Sequence, residues 1–152
     1  MVDERAPVSG NCLNINKSER WIADMNLNQE QLADIEKNLR EMQLMGNDDA
    51  VIEAVMGDYY EQVLIFSNKV VGWYYFTKEA LIFVGGIGIT KWAVPYASVE
   101  EMKECLVGPF PTGIKLYAKD EKKGKTVVYE LSLLKRKQWS EFLAARIGGG
   151  NR

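Results

Sequence analysis

The chain has 152 residues, two cysteines and no histidine. Without an imidazole there is no general base for a serine or cysteine nucleophile of the usual kind, and no nitrogen ligand for zinc or iron. Cys12 and Cys105 stand too far apart to form a metal knuckle. Residues 1–10 lack the apolar run of a secretion leader, so the expectation is two free thiols in a reducing cytoplasm, with one disulfide as the alternative. Carboxylates are plentiful, but neighbours such as Glu100 and Glu101 read as solvated surface rather than an acid–base dyad. Gly85-Gly86-Ile87-Gly88 lacks the G-x-G-x-x-G spacing and precedes a strand-like segment. Gly124-Lys125-Thr126 resembles the end of a phosphate loop, but that motif's first glycine would fall at Lys119 and a strand follows. No catalytic residue, cofactor or metal is expected, and the chain is read as a non-enzyme.

What remains is binding, and two residue sets could do it. Lys119, Lys122, Lys123 and Lys125 crowd one hairpin tip, interrupted by Asp120 and Glu121, while Lys135, Arg136 and Lys137 open the last helix. Brought together, they would form an anionic-ligand patch for a lipid headgroup on a chain of net charge −2. Kept apart, the hairpin lysines are a solubilising tip. Cations at a helix start oppose its dipole, which signals either function or a later start. The second set is apolar: Leu32, Ile35, Leu39 and Met42, spaced 3-4-3 on a helix, with the aromatics Tyr74 and Trp92. The stripe either docks on its own domain or pairs with a second chain. The acidic balance, with only Lys91 beside the aromatics, argues against a nucleic-acid partner.

These residues need elements to hold them. Residues 1–27 read as a polar tail. Residues 28–46 read as an amphipathic helix, with Asn28 and Gln31 as a capping pair and Gly46 as the terminating glycine. Residues 50–56 lean towards a strand, Gly57 and Asp58 look like a break, and residues 59–66 read as the next strand. Ser67-Asn68-Lys69 reads as a turn. In residues 70–77, Trp73, Tyr75 and Thr77 share one face and Tyr74 and Phe76 the other. Both faces are aromatic, so the outer one needs cover, from the N-terminal helix or a second copy. Lys78 and Glu79 turn the chain into residues 80–84. Strand patterns follow near 92–96, 99–107, 114–119 and 126–134, with residues 108–113 as a turn. An amphipathic helix over 136–147 carries Trp139, Phe142, Leu143 and Ile147 at a 3.6-residue period. Residues 149–152 are expected to fray. The longest apolar run is too short and too glycine-broken to span a bilayer.

Gly72-Trp73-Tyr74-Tyr75-Phe76-Thr77-Lys78-Glu79-Ala80-Leu81-Ile82-Phe83 resembles the G-x-L-Y-x-T-x-x-R-L-I-F hairpin of the PH-like superfamily, nearest to GRAM and bacterial PH-like domains. Trp92-Ala93-Val94-Pro95-Tyr96-Ala97-Ser98-Val99 is similar to the I-P-Y-x-S-I strand that follows there. Ala80 departs from the arginine or similar polar residue of relatives. The resemblance covers roughly residues 50–147 and leaves the first helix outside. It implies a bent sheet of about seven antiparallel strands, mainly β, with its open end capped by the C-terminal helix. It also implies a non-catalytic module that takes peptides along an open edge or beside the last helix. Phosphoinositide-reading relatives carry their basic motif on the first hairpin, where this chain has only Lys69. The expected organisation is a tail (1–27), a helix (28–46), a PH-like domain (47–148) and a short tail (149–152). The expected role is a cytoplasmic protein–protein binding module, self-association included; the alternative is a peripheral binder of anionic headgroups through residues 119–137.

Overall fold

The computed structural model describes residues 28–147. The expected N-terminal tail with Cys12, and residues 148–152, lie outside the described residues.

The first helix, α1 (Gln29–Glu41), starts where its capping pair dictates. The Asn28 side chain accepts the Gln31 N–H at 2.8 Å, and the Gln31 side chain accepts the Asn28 N–H at 2.9 Å. It ends earlier than Gly46 suggests. Gln43 takes the left-handed conformation at φ 63°, and the Leu44 N–H returns to the Leu39 carbonyl at 2.9 Å. Gly46 instead offers its carbonyl to Arg40 Nε.

Seven antiparallel strands follow: β1 (Val51–Val63), β2 (Phe66–Thr77), β3 (Ala80–Gly85), β4 (Thr90–Pro95), β5 (Val99–Val107), β6 (Phe110–Asp120) and β7 (Lys125–Ser132). A single 3-10 turn, Tyr96–Ser98, links β4 to β5. The spatial order is β4-β3-β2-β1-β7-β6-β5, which leaves β4 and β5 as edges. The second helix, α2 (Arg136–Ile147), closes the chain.

Two strand boundaries differ from the sequence reading. Residues 50–56 and 59–66 are not separate strands, because β1 runs straight through Gly57 and Asp58. The glycine serves an approach between strands. A Cβ there would stand 2.8 Å from the Ser132 carbonyl oxygen and 2.6 Å from Leu133 Cδ2. Just beyond it β1 gains β7 as a second neighbour, from Asp58↔Ser132 to Tyr60↔Glu130. The hairpin then turns at Leu64 and Ile65, while Ser67, Asn68 and Lys69 sit within β2 opposite Gln62, Glu61 and Tyr60. Likewise the turn placed at 108–113 shrinks to Gly108 and Pro109, with Phe110 already paired to Val107.

Apolar burial forms two layers. Inside the bent sheet lie Tyr74, Phe76, Leu81, Phe83, Leu116 and Leu131, all at most 1% exposed. α2 covers one end of this core with Trp139 and Leu143. Outside, α1 lies on the other face of β2, β3 and β4. Leu39 is buried there with Met45, Val51, Ala80 and Ile82, and Leu32, Ile35, Met42 and Tyr75 pack around them. The outer face that the aromatic pattern says must be covered is covered by the chain's own helix. Polar contacts fix the helix position. Glu36 Oε2 accepts the Val51 N–H at 2.8 Å, and Arg40 Nη2 donates to the Asp49 carbonyl at 2.7 Å. The buried Asp49 carboxylate in turn accepts Thr77 Oγ1 at 2.6 Å and the Lys78 N–H at 3.0 Å.

Candidate functional site

The structure splits the seven cations. Lys119, Lys122, Lys123 and Lys125 are exposed on the β6–β7 hairpin. Asp120 Oδ1 shapes that tip by accepting the N–H groups of Lys122 and Lys123 at 3.0 and 3.1 Å. Lys135, Arg136 and Lys137 lie past the other end of β7, an eight-residue strand that separates the groups by roughly 25 Å. One patch spanning residues 119–137 therefore does not form. Lys119 and Lys122 instead border a cleft of about 720 Å³ between the β4 edge and the β6–β7 hairpin, together with Asp120, Glu121 and Tyr129. The carboxylates there offset the lysines.

The cations at the start of α2 have a local explanation. Lys135 sits at φ 57°, and its carbonyl accepts the N–H groups of Gln138 and Trp139. Arg136 reaches across to β5, where Nη1 donates to the Cys105 carbonyl at 2.8 Å and Nη2 lies 3.6 Å from Glu104 Oε1. A cation that opposes the helix dipole thus latches the helix to an edge strand.

That latch borders a second cleft of about 640 Å³ between β5 and α2. Met102 and Glu104 supply its strand wall, Arg136, Lys137, Ser140 and Ala144 its helix wall, and Pro111 one end. Ser140 is 7% exposed, and its hydroxyl has no hydrogen-bond partner among the described residues. Leaving such a group unpaired costs about 1–3 kcal/mol. Next to the cleft the surface is apolar: Leu106, Phe110 and Leu134 are 62–77% exposed. The nearby Cys105 is a half-buried free thiol; burial, then the Glu130 carboxylate, pushes its pKa up and keeps it protonated. β5 hydrogen-bonds to β6 along one side only; among the described residues no strand pairs with its other side, and Arg136 takes the Cys105 carbonyl.

The remaining candidates lie deeper than a surface requires. Tyr74 is fully buried, and its hydroxyl donates to the Asp58 carbonyl at 2.6 Å. Trp92 is half-buried in an aromatic cluster, 4.6 Å from Tyr129 and 5.3 Å from Tyr59 between ring centroids. Leu39 is 1% exposed beneath α1, and Leu32, Ile35 and Met42 are half-buried around it. The sequence reading missed Met102, Ser140 and Ala144, since a small residue on a helix carries no local sign that it faces an edge strand. Among the described residues no group of three or more His, Cys, Asp or Glu side chains could hold a metal ion. No helix among them is long and apolar enough to cross a membrane.

No family model and no curated protein sequence matches the chain. Solved structures do. The C-terminal domain of an unknown protein from Leishmania infantum aligns over 76% of this chain and 95% of that one, at 11% identity and TM-score 0.57. The hSac2 domain of the human phosphoinositide phosphatase Sac2 aligns over 77% and 82%, at 11% identity and TM-score 0.50. A pleckstrin homology domain from Shewanella amazonensis aligns over 82% and 95%, at 17% identity and TM-score 0.46. At these identities the likeness speaks to fold. The seven-stranded antiparallel sheet and its closing helix are the mainly β architecture that the sequence resemblance implies.

Proposed function

We propose that this chain is a non-catalytic binding module of the GRAM or bacterial PH-like kind that holds an extended peptide of a protein partner against β5. The observation that carries this reading is the cleft between the β5 edge and α2, with the buried Ser140 hydroxyl, unpartnered among the described residues, in its wall. A peptide laid along β5 would pair with the side that no described strand takes, and its alternate side chains would enter the cleft. Lys135 and Lys137 are exposed beside it and favour an acidic residue in the ligand. The exposed Leu106, Phe110 and Leu134 favour an apolar neighbour. A headgroup site built from all seven cations has less support, because β7 holds its two halves apart. The α1 stripe is engaged within the chain, so self-association would also fall to the β5 edge.

The test is to pan a random peptide library on the immobilised chain, then titrate the enriched peptide into isotope-labelled protein. Amide shifts should concentrate on β5 and α2, and Ala144→Arg should weaken binding about tenfold or more with its melting unchanged. No enriched peptide, or shifts centred on the hairpin tips, would defeat the reading.

A further inference from the structure

The cleft between β5 and α2 is barred at one end. The two elements run in opposite directions. α2 starts beside Cys105, near the end of β5. It also packs on the Tyr96–Ser98 turn that leads into β5, where Arg146 of its last turn acts on the Tyr96 phenol. Arg136, the first residue of the helix, spans the gap. Its Nη1 donates to the Cys105 carbonyl at 2.8 Å, and its Nη2 lies 3.6 Å from Glu104 Oε1. Pro111 stands at the same end, since β6 turns back there from Val107↔Phe110 towards Cys105↔Gly113. A chain lying in the cleft can reach this bar but cannot run straight past it.

Positive charge gathers at the bar. Lys135, Arg136 and Lys137 stand together at the helix start, where the helix dipole adds to them. The Lys135 carbonyl takes the N–H groups of Gln138 and Trp139, while those of Arg136 and Lys137 have no acceptor within the helix. Glu104 is the ion-pair partner of Arg136, and Glu141 is the other carboxylate on the cleft wall. Lys135 and Lys137 are exposed and make no ion pair with a described residue. A helix start of this kind holds anions. The wall carries a second, independent sign of a ligand one turn further along: the Ser140 hydroxyl, buried and without a partner among the described residues.

We propose that the cleft receives the free C-terminus of a protein partner, its terminal carboxylate held by Lys135, Arg136 and Lys137 and its last side chain resting on Leu106, Phe110 and Leu134. This use of the cleft rests on the peptide reading above and names the part of a chain that the cleft takes. A terminus ends at the bar, whereas an internal segment must bend away from it. Of the two chain ends, the carboxyl end carries the sign that this end of α2 attracts, and an amino end would be repelled. The guanidinium has donors to spare beyond its two contacts. The bound strand then runs parallel to β5. Its upstream residues pass Met102 and Ala144, and the exposed Glu100 and Glu101 at the start of β5 favour a basic residue there. A glutamate side chain offers the same carboxylate but leaves its chain to be routed around Arg136.

The experiment passes two synthetic libraries of the same random peptides over the immobilised full chain, one ending in a free carboxylate and the other in an amide. Mass spectrometry reads the peptides retained. The free-acid library should yield peptides that share an apolar last residue, and the amide library should yield few. The best peptide is then titrated as the acid, as the amide, and as the acid extended by a pair of glycines. The first should bind about tenfold or more tightly than either other form. Joint replacement Lys135→Gln and Lys137→Gln leaves the Arg136 latch in place, so the variant should melt as the wild type does and bind acid and amide within about twofold of each other. Equal binding of acid and amide by the wild type overturns the proposal and leaves the peptide reading standing. So does a set of retained peptides that share an internal acidic residue instead, or a double variant that keeps the whole preference for the acid. Failure of both libraries on a folded chain overturns the peptide reading as well.

Discussion

Phe76 and Trp139 lie face to face, ring centroids 4.7 Å apart and planes 8° from parallel. One ring comes from β2 and the other from α2, so a single stack joins the sheet's interior to the helix that closes it. Phe142 meets the same phenylalanine edge-on at 5.1 Å. The helix therefore belongs to the core, and the cleft wall it forms against β5 is held as firmly as that core.

Truncating the stack should accordingly cost both stability and the cleft. Trp139 is 4% exposed, and Trp139→Ala should lower the unfolding free energy by about 3–5 kcal/mol. Urea unfolding measures it. A loss below about 1 kcal/mol would mean that α2 is only loosely applied to the sheet.

The docking of α1 rests on Leu39. Leu39→Ala should destabilise by about 2–4 kcal/mol, and hydrogen exchange should quicken first at Val51, whose N–H is held by Glu36. Release of the helix would uncover Ala80 and Ile82, so the variant should also begin to associate in light scattering. An unchanged exchange rate at Val51 would show that the helix is held elsewhere.

Local chemistry explains what could be read from the chain and what could not. The start of α1 was legible because Asn28 and Gln31 satisfy each other within one turn. The β2–β3 hairpin was legible because Lys78 and Glu79 interrupt two apolar, aromatic-rich runs, residues 70–77 and 80–84. The true length of β1 was not, since Gly57 reads locally as a break and its reason lies in Ser132 and Leu133, far along the chain. The turn at Leu64 and Ile65 was hidden because Ser67-Asn68-Lys69 has ordinary turn composition and the actual turn has none. The cleft was equally hidden: it depends on Arg136 finding the Cys105 carbonyl, a contact that no spacing rule encodes. The lysine groups looked like one patch because composition does not register that β7 lies between them.

Gly57 offers a test of the crossing it permits. A methyl group there meets the Ser132 carbonyl oxygen, a backbone atom that cannot rotate aside. Gly57→Ala should cost about 1–3 kcal/mol and weaken exchange protection where Tyr59 and Tyr60 pair with β7. Gly46→Ala is the control, with nothing within 4 Å of the new Cβ, and should be nearly neutral. Equal losses in the two variants would remove the steric explanation.

The buried phenols should set an alkaline limit on stability. Tyr74 and Tyr96 donate to the backbone carbonyls of Asp58 and Thr77 at 2.6 and 2.7 Å. Desolvation raises both pKa values well above the ordinary 10.0, with Arg146 only partly opposing it at Tyr96. The native state therefore keeps these protons at a pH where the unfolded chain has lost them. Their contribution is complete below pH 10 and declines as pH rises towards the native values, by about 1.4 kcal/mol per pH unit for each phenol. Urea unfolding between about pH 9 and pH 11 should show that fall, and Tyr96→Phe should flatten it while removing one hydrogen bond at every pH. A wild-type stability that stays level through this range would mean that the phenols ionise without unfolding the chain, and that water reaches them in the native state.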